Sequence, residues 1–226
     1  MKISYPMIIL NFKGYRELLN KREFELAKTA EKISRETGVS VAVCPSFVNI
    51  AKISEAVEIP VLAQHCDPYE PGAYTGSVVA EFLKEAGAAG SLLNHSEKRL
   101  RLSDIAAAVA RLRINGLVSV VCADDIHSSS AAAALSPDAL AVEPPELIGT
   151  GISVSTAKPE VVSGTVEKVK TLNRDVHVLC GAGVSTAEDV NKALRLGTEG
   201  VLLSSAYVKS RDPEKLLKQM CEAARI

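Results

Sequence analysis

Eight short, mostly apolar runs recur along the 226-residue chain, and helical patterns fill the gaps between them. The runs are Met7–Asn11, Val39–Val43, Pro60–Gln64, Ala89–Leu93, Leu117–Cys122, Ala139–Val142, His177–Cys180 and Gly200–Leu203. They are apolar nearly throughout rather than alternating, the pattern of parallel strands covered on both faces. In the gaps, Leu19, Leu26, Ala30 and Ile33 fall on one face of the first helix. Val162, Val166, Val169 and Leu172 do the same in the sixth, which Pro159 opens. Ser185-Thr186-Ala187-Glu188 reads as a capping box for the seventh, and Asp212-Pro213-Glu214 caps the last. Each strand-helix unit takes about 28 residues, enough for a crossover between parallel strands. No Pro/Ser-rich linker or charge run interrupts the series, so residues 1–226 are expected to form one domain. Eight parallel strands could lie in an open, doubly wound sheet. The even count and compactness favour a closed (β/α)8 barrel, an α/β fold with helices around a parallel sheet.

Such a barrel puts its chemistry just beyond the C-terminal ends of the strands. Strand one leads into Asn11-Phe12-Lys13-Gly14, strand four into Asn94-His95-Ser96-Glu97, and strand six into Glu143. A cation, an imidazole and a carboxylate therefore converge on one rim. After Glu143 come Pro144-Pro145, which stiffen the exit, an apolar pair at Leu147-Ile148, and the hinge residues Gly149 and Gly151. That order suits a base on a rigid strand end with a lid beside it. Gly181-Ala182-Gly183 and Ser204-Ser205-Ala206 end strands seven and eight in small residues, where backbone N–H groups can approach an anion. Each piece alone has a plain reading: close packing for Gly-Ala-Gly, a hydrogen-bonded structural role for His95, a solvated charge for Lys13, a surface turn for Glu143. Their joint arrival on one rim points to a site. A short helix expected over Ser96–Arg99 would present amides that keep His95 neutral.

Composition narrows the partners. Apolar residues make up 47% and charged residues 23% of the chain, an ordinary globular balance. A net charge of -1 without a basic patch gives no reason to expect nucleic acid. No apolar run approaches the roughly 20 residues of a membrane span, and the N-terminus lacks a signal-peptide pattern. No membrane partner and a cytoplasmic location are expected. Five unpaired-looking cysteines and four scattered histidines suggest neither a disulfide framework nor a metal site.

The chain resembles triosephosphate isomerase, particularly its short archaeal form. Asn11-Phe12-Lys13, Asn94-His95-Ser96-Glu97 and Val142-Glu143-Pro144 through Ile148-Gly149-Thr150-Gly151 match that family's three catalytic segments in order. Gln64 with Gly72-Ala73-Tyr74-Thr75-Gly76 resembles the third-loop segment, which in the family reaches the neighbouring subunit's active site. The resemblance implies interconversion of dihydroxyacetone phosphate and glyceraldehyde 3-phosphate in glycolysis and gluconeogenesis, without a cofactor or metal. It implies Glu143 as the base, His95 as the electrophile, Lys13 as a substrate-holding cation, Asn11 lining the site and Glu97 orienting Lys13. Asn11, Lys13, Ile148, Gly149, Gly183, Ser204 and Ser205 are the implied substrate-binding residues, and self-association as a dimer or tetramer is implied as well. A glutamate base with a neutral histidine electrophile is a standard worked example for this family.

The chemistry requires more than a base. General-base catalysis supplies roughly 10²–10⁴-fold, whereas enzymes commonly reach about 10⁶-fold or more. Donors at the developing oxyanion must supply much of the rest, and Lys13 and His95 are the available groups. Two departures from the family pattern stand out. Gly181-Ala182-Gly183 replaces the common Gly-Gly-Ser and loses a hydroxyl, and Ser204-Ser205 replaces the frequent Gly-Gly, where side chains could crowd an anion or donate to it. A Schiff-base aldolase with Lys13 as nucleophile is one alternative, disfavoured because Glu97 would favour the charged lysine. A non-catalytic phosphometabolite-binding protein is another, disfavoured because binding a phosphate needs no carbon base.

Overall fold

The structure, a computed structural model, describes residues 3–225. Its eight strands are all parallel and run in the order β2-β1-β8-β7-β6-β5-β4-β3. They are β1 (Met7–Asn11), β2 (Ser40–Cys44), β3 (Leu62–Ala63), β4 (Gly90–Leu93), β5 (Val118–Ala123), β6 (Ala139–Val142), β7 (His177–Cys180) and β8 (Gly200–Leu203). A bridge between Val43 and Val61 joins β2 to β3 and completes the circuit, with the Val43 N–H donating to the Pro60 carbonyl at 3.1 Å. The fold is thus the (β/α)8, or TIM, barrel. The four strands β1, β6, β7 and β8 coincide with the apolar runs, whereas β2, β4 and β5 begin one residue later. In β3 only Leu62 and Ala63 form regular ladder; Pro60 has no amide hydrogen to donate, and Val61 makes a single bridge.

The long outer helices are α1 (Arg22–Thr37), α4 (Leu102–Ile114), α7 (Pro159–Leu172), α8 (Ala187–Arg195) and α10 (Pro213–Ala223). Shorter ones are α2 (Ile50–Ala56), α3 (Ala80–Glu85), α5 (Ile126–Ala133), α6 (Val154–Ala157) and α9 (Ser205–Val208). Leu26, Ala30 and Ile33 of α1 are buried as expected, but Leu19 lies before the helix and is 64% exposed. Leu172 ends α7 in solvent, while Val162 and Val169 carry its buried stripe. The capping box of α8 is formed by Thr186 and Asp189, one residue later than the sequence suggested. Asp212 caps α10 through the Lys215 amide at 3.0 Å.

Strand alternation divides the core in two. Met7, Ile9, Ala42, Cys44, Leu92, Val120, Ala139, Ala141, Leu179 and Leu202 fill the barrel interior. Ile8, Leu10, Val41, Val43, Leu93, Val121, Leu140, Val142, Val178 and Val201 pack outward against the helices. Both faces bury apolar side chains, which is why the runs do not alternate in hydropathy. The inward parity continues past each strand end. Asn11 follows Met7 and Ile9, Glu143 follows Ala139 and Ala141, Gly181 follows Leu179, and Ser204 follows Leu202. Polar groups and glycine thus succeed the apolar layers at the C-terminal mouth. Among the described residues, no helix is long and apolar enough to cross a membrane, and no group of three or more His, Cys, Asp or Glu is placed to hold a metal. All five cysteines are buried and free.

Candidate active site

A cavity of about 380 Å³ opens at the C-terminal mouth of the barrel. Asn11, Lys13, His95, Glu143, Ile148, Gly149, Gly183, Ser204 and Ser205 all line it. Glu97 does not reach the cavity wall and stands behind Lys13. The wall also includes Thr150, Gly151, Gly181 and Ala206, from the lid and small-residue segments singled out in the sequence, and Tyr15, Val184, Ser185 and Lys209, which the sequence does not mark as site residues.

Glu143 leaves β6 with its amide bonded to the Ala123 carbonyl at 2.7 Å, and the residue is only 2% exposed. Burial, which penalises the charged form, lifts its carboxyl from 4.5 to about 7. A bond from the Cys122 thiol and the positive charges of Lys13 and Arg99 offset part of that rise. Its Oε2 is buried without a hydrogen-bond partner. Gly181 makes the room: a Cβ there would meet Glu143 Cγ at 2.4 Å.

His95 faces Glu143, with Nε2 3.8 Å from Glu143 Oε2. The expected helix over Ser96–Arg99 is instead a turn, closed by the Lys98 amide donating to the His95 carbonyl at 2.8 Å. The turn still presents one amide where it matters. The Glu97 N–H donates to His95 Nδ1 at 3.2 Å, so a neutral imidazole carries its proton on Nε2, toward the cavity. Burial and the Lys13 charge push the His95 pKa from 6.5 down to about 4, against the opposing pull of Glu97. Asn94 turns the chain into this loop: its side-chain Nδ2 donates to the Cys122 carbonyl at 2.9 Å, and its Oδ1 accepts from the Leu100 backbone amide at 2.9 Å.

Lys13 sits in the left-handed region at φ 53°, unusual for a residue with a Cβ. Two side chains hold it there. Asn11 Oδ1 accepts from its amide at 3.0 Å, and Gln64 Nε2 donates to its carbonyl at 3.0 Å. The ammonium bonds Glu97 Oε1 at 2.8 Å. Gln64, at the start of the third loop, therefore also holds Lys13, a role the sequence does not assign to it; its position just beyond inward-facing Leu62 is the available signal.

Beyond Glu143 the chain makes a single helical turn at Pro145–Leu147. Gly149 and Gly151 follow with φ 76° and 75°. Thr150 Oγ1 caps the turn by donating to the Leu147 carbonyl at 2.8 Å. Behind this segment, Gly183 lies so close to the Ile152 carbonyl that a Cβ would sit 1.9 Å from its oxygen. The hydroxyl missing at Gly183 is not restored by Ser185, whose Oγ is spent on the Gly151 carbonyl at 3.3 Å and on Asp189. Ser204 Oγ is buried with no hydrogen-bond partner. The amides of Ser205 and Ala206 open α9, where first-turn N–H groups lack partners within the helix.

A packed (β/α)8 barrel whose C-terminal mouth gathers a buried carboxylate, a neutral imidazole and an ammonium belongs among the acid–base enzymes of that architecture. Comparison with known proteins narrows the class. The triosephosphate isomerase family model matches residues 6–224. The triosephosphate isomerase of Methanothermus fervidus is 55% identical over 215 residues, covering 95% of this chain and 97% of that protein. The one from Methanocaldococcus jannaschii is 52% identical, covering 95% and 98%, and that from Pyrobaculum calidifontis is 52% identical, covering 96% and 95%. The chain belongs to the triosephosphate isomerase family.

Proposed function

We propose that this protein interconverts dihydroxyacetone phosphate and D-glyceraldehyde 3-phosphate by moving one proton between adjacent carbons. Glu143 removes the proton from C1 of the ketose, and the electron pair flows to the carbonyl oxygen. His95 Nε2–H and the Lys13 ammonium hold the resulting enediolate. His95 relays a proton between the two oxygens, and Glu143 returns its proton to C2. Atoms and electrons balance within the substrate, so the step needs no external oxidant or reductant. Glu97 and Asn11 keep Lys13 aimed, and Ile148, Gly149, Gly183, Ser204 and Ser205 line the end that takes the phosphate.

The observation that carries this reading is the opposed tuning of two facing groups: a carboxyl raised to about 7 beside an imidazole lowered to about 4. A base titrating near the working pH is the most effective one, and an uncharged imidazole at that pH is a donor with a proton to share. The aldolase alternative fits less well, because the 2.8 Å contact with Glu97 holds the Lys13 ammonium as an ion pair. A coupled isomerase assay tests the proposal. Wild type should turn over glyceraldehyde 3-phosphate, and Glu143→Gln should lose about 10³-fold or more in kcat. Activity retained in Glu143→Gln overturns the mechanism.

We further propose that the chain is a single domain acting in the cytoplasm as a dimer or tetramer. The loop over 66–78 supports self-association. Its stem is pinned by Asp67, which accepts from the Val78 amide at 2.7 Å, while its tip exposes Tyr69 and Tyr74 stacked at 4.2 Å. Phe47 and Val48 are exposed as well, at 40% and 84%. Exposed aromatic and apolar groups of this size are costly in a monomer and useful at an interface. Light scattering should give a mass of at least twice the 24.0 kDa chain; a monomer at assay concentration would refute it.

A further inference from the structure

The charges at the cavity floor do not by themselves favour an anionic substrate. Lys13 is bonded to Glu97 at 2.8 Å, and Glu143 adds a negative charge whenever it is in its basic form. A phosphate monoester carries about −1.5 to −2 at neutral pH, and would meet a floor without net positive charge. One more cation lines the cavity. Lys209 stands one turn beyond Ser205, and its amide donates to the Ser205 carbonyl at 2.9 Å. Residues spaced by four share a helix face, so Lys209 lies on the same wall as Ser205.

Its head is held over the mouth by an aromatic strut. Lys209 Nζ sits 4.5 Å from the centroid of the Tyr15 ring. Tyr15 lines the same cavity, packs its inner side against the core, and follows Lys13 by two residues. The remaining partner is Glu17 at 3.6 Å, and both side chains of that pair are about half exposed, at 47% and 48%. An exposed ion pair of this kind is weak, so an incoming anion can draw the ammonium from Glu17 while Tyr15 keeps it beside the mouth.

We propose that Lys209, steadied on Tyr15, is a specificity-determining cation that captures the phosphate-bearing substrate at the cavity mouth. This rests on the triose-phosphate reading above and adds a residue to it. Lys209 acts on entry and binding, not on the proton transfer, so its effect falls on kcat/KM and depends on ionic strength. A cleft with a favourable charge raises association by about 10–10³-fold, and salt removes that gain.

The test compares wild type, Lys209→Met, Lys209→Arg and Tyr15→Leu on D-glyceraldehyde 3-phosphate and on D-glyceraldehyde, which lacks the phosphate. At low ionic strength Lys209→Met should lower kcat/KM for the phosphate ester about tenfold, with kcat nearly unchanged and the deficit shrinking as salt rises. Lys209→Arg should restore the wild-type value, Tyr15→Leu should show a smaller loss of the same kind, and turnover of D-glyceraldehyde should not change. An equal loss on both substrates, a loss confined to kcat, or a loss independent of salt overturns the proposal. If wild type failed to isomerise glyceraldehyde 3-phosphate, the activity reading itself would fall. Titration with inorganic phosphate would then judge Lys209: weaker low-salt binding in Lys209→Met supports the capture role, and equal affinity overturns it.

Discussion

Replacing Gly181 with alanine should disable the site while leaving the barrel folded. The added Cβ would lie 2.4 Å from Glu143 Cγ, 3.0 Å from Cδ and 2.9 Å from Oε1. Carbon atoms in contact prefer about 3.5 Å or more, so the glutamate must retreat by about 1 Å. It has little room to do so, being fully buried on a strand end whose amide is fixed to Ala123. A displacement of about 1 Å at a reacting group costs on the order of 10²-fold in rate, or about 2.7 kcal/mol of transition-state stabilisation. Overpacking should cost about 1–3 kcal/mol of stability, which for a chain of this size lowers Tm by about 2–12 °C. The assay is kcat/KM at 25 °C, with far-UV circular dichroism to show that the variant is folded. A folded Gly181→Ala variant within about threefold of wild type would refute the reasoning, since Glu143 would not need the position in which it is found.

The opposed titrations of Glu143 and His95 give kcat/KM an acid limb near pH 7, as the base loses its proton, and none from His95, whose imidazole NMR signals should not titrate above about pH 5. Because the native Glu143 holds its proton up to about pH 7 and the unfolded chain releases it near 4.5, the stability from this group is present below 4.5 and lost as pH rises through 7. Glu143→Gln should therefore melt higher than wild type at pH 8 and alike at pH 4.5; equal melting at both values would contradict the buried, strained carboxylate. Saturating triose phosphate should slow hydrogen exchange and proteolysis over residues 144–150, and unchanged exchange would rule out lid closure. Ser204→Ala should raise KM for the phosphate ester by about three- to tenfold if the partnerless hydroxyl donates to substrate; an unchanged KM would show that it does not.

Much of the barrel was legible because each strand is buried on both faces. Met7–Asn11, Ala139–Val142, His177–Cys180 and Gly200–Leu203 are short, apolar and sharply bounded, so their limits were readable to the residue. Errors arose where burial depends on neighbours distant in sequence. Leu19 continues the helical spacing of α1 but precedes a left-handed Lys21 at φ 71°, which starts the helix only at Arg22. Leu172 keeps the stripe of α7 yet overruns the barrel edge into solvent. The shift of the α8 cap from Ser185 to Thr186 has a local cause: Asp189 accepts from the Ser185, Thr186 and Thr186 Oγ1 donors together, and a carboxylate at that position outcompetes Glu188.

At the site, legibility follows strand parity and stops where parity stops. Asn11, Glu143, Gly181 and Ser204 each stand two residues beyond an inward apolar side chain, so the alternation that fills the barrel also delivers them to its mouth. Lys13 and His95 require something parity does not supply. Lys13 itself and Asn94, just before His95, turn left-handed at φ 53° and 58°, and each reversal is held by a group from elsewhere: the Gln64 side chain from the end of β3, and the Cys122 backbone carbonyl from β5. The cation and the imidazole are thus aimed by the closed barrel, whose neighbouring strands bring those holding groups within reach. Opening the sheet at the seam between β2 and β3, which the Val43–Val61 bridge closes, would pull Gln64 from the Cys44 carbonyl, its second anchor at 3.1 Å. Closure of the sheet and orientation of the lysine are one structural event, and this is why Glu97 could be assigned to Lys13 from the sequence while the holding bonds of Gln64 and of the Cys122 carbonyl could not.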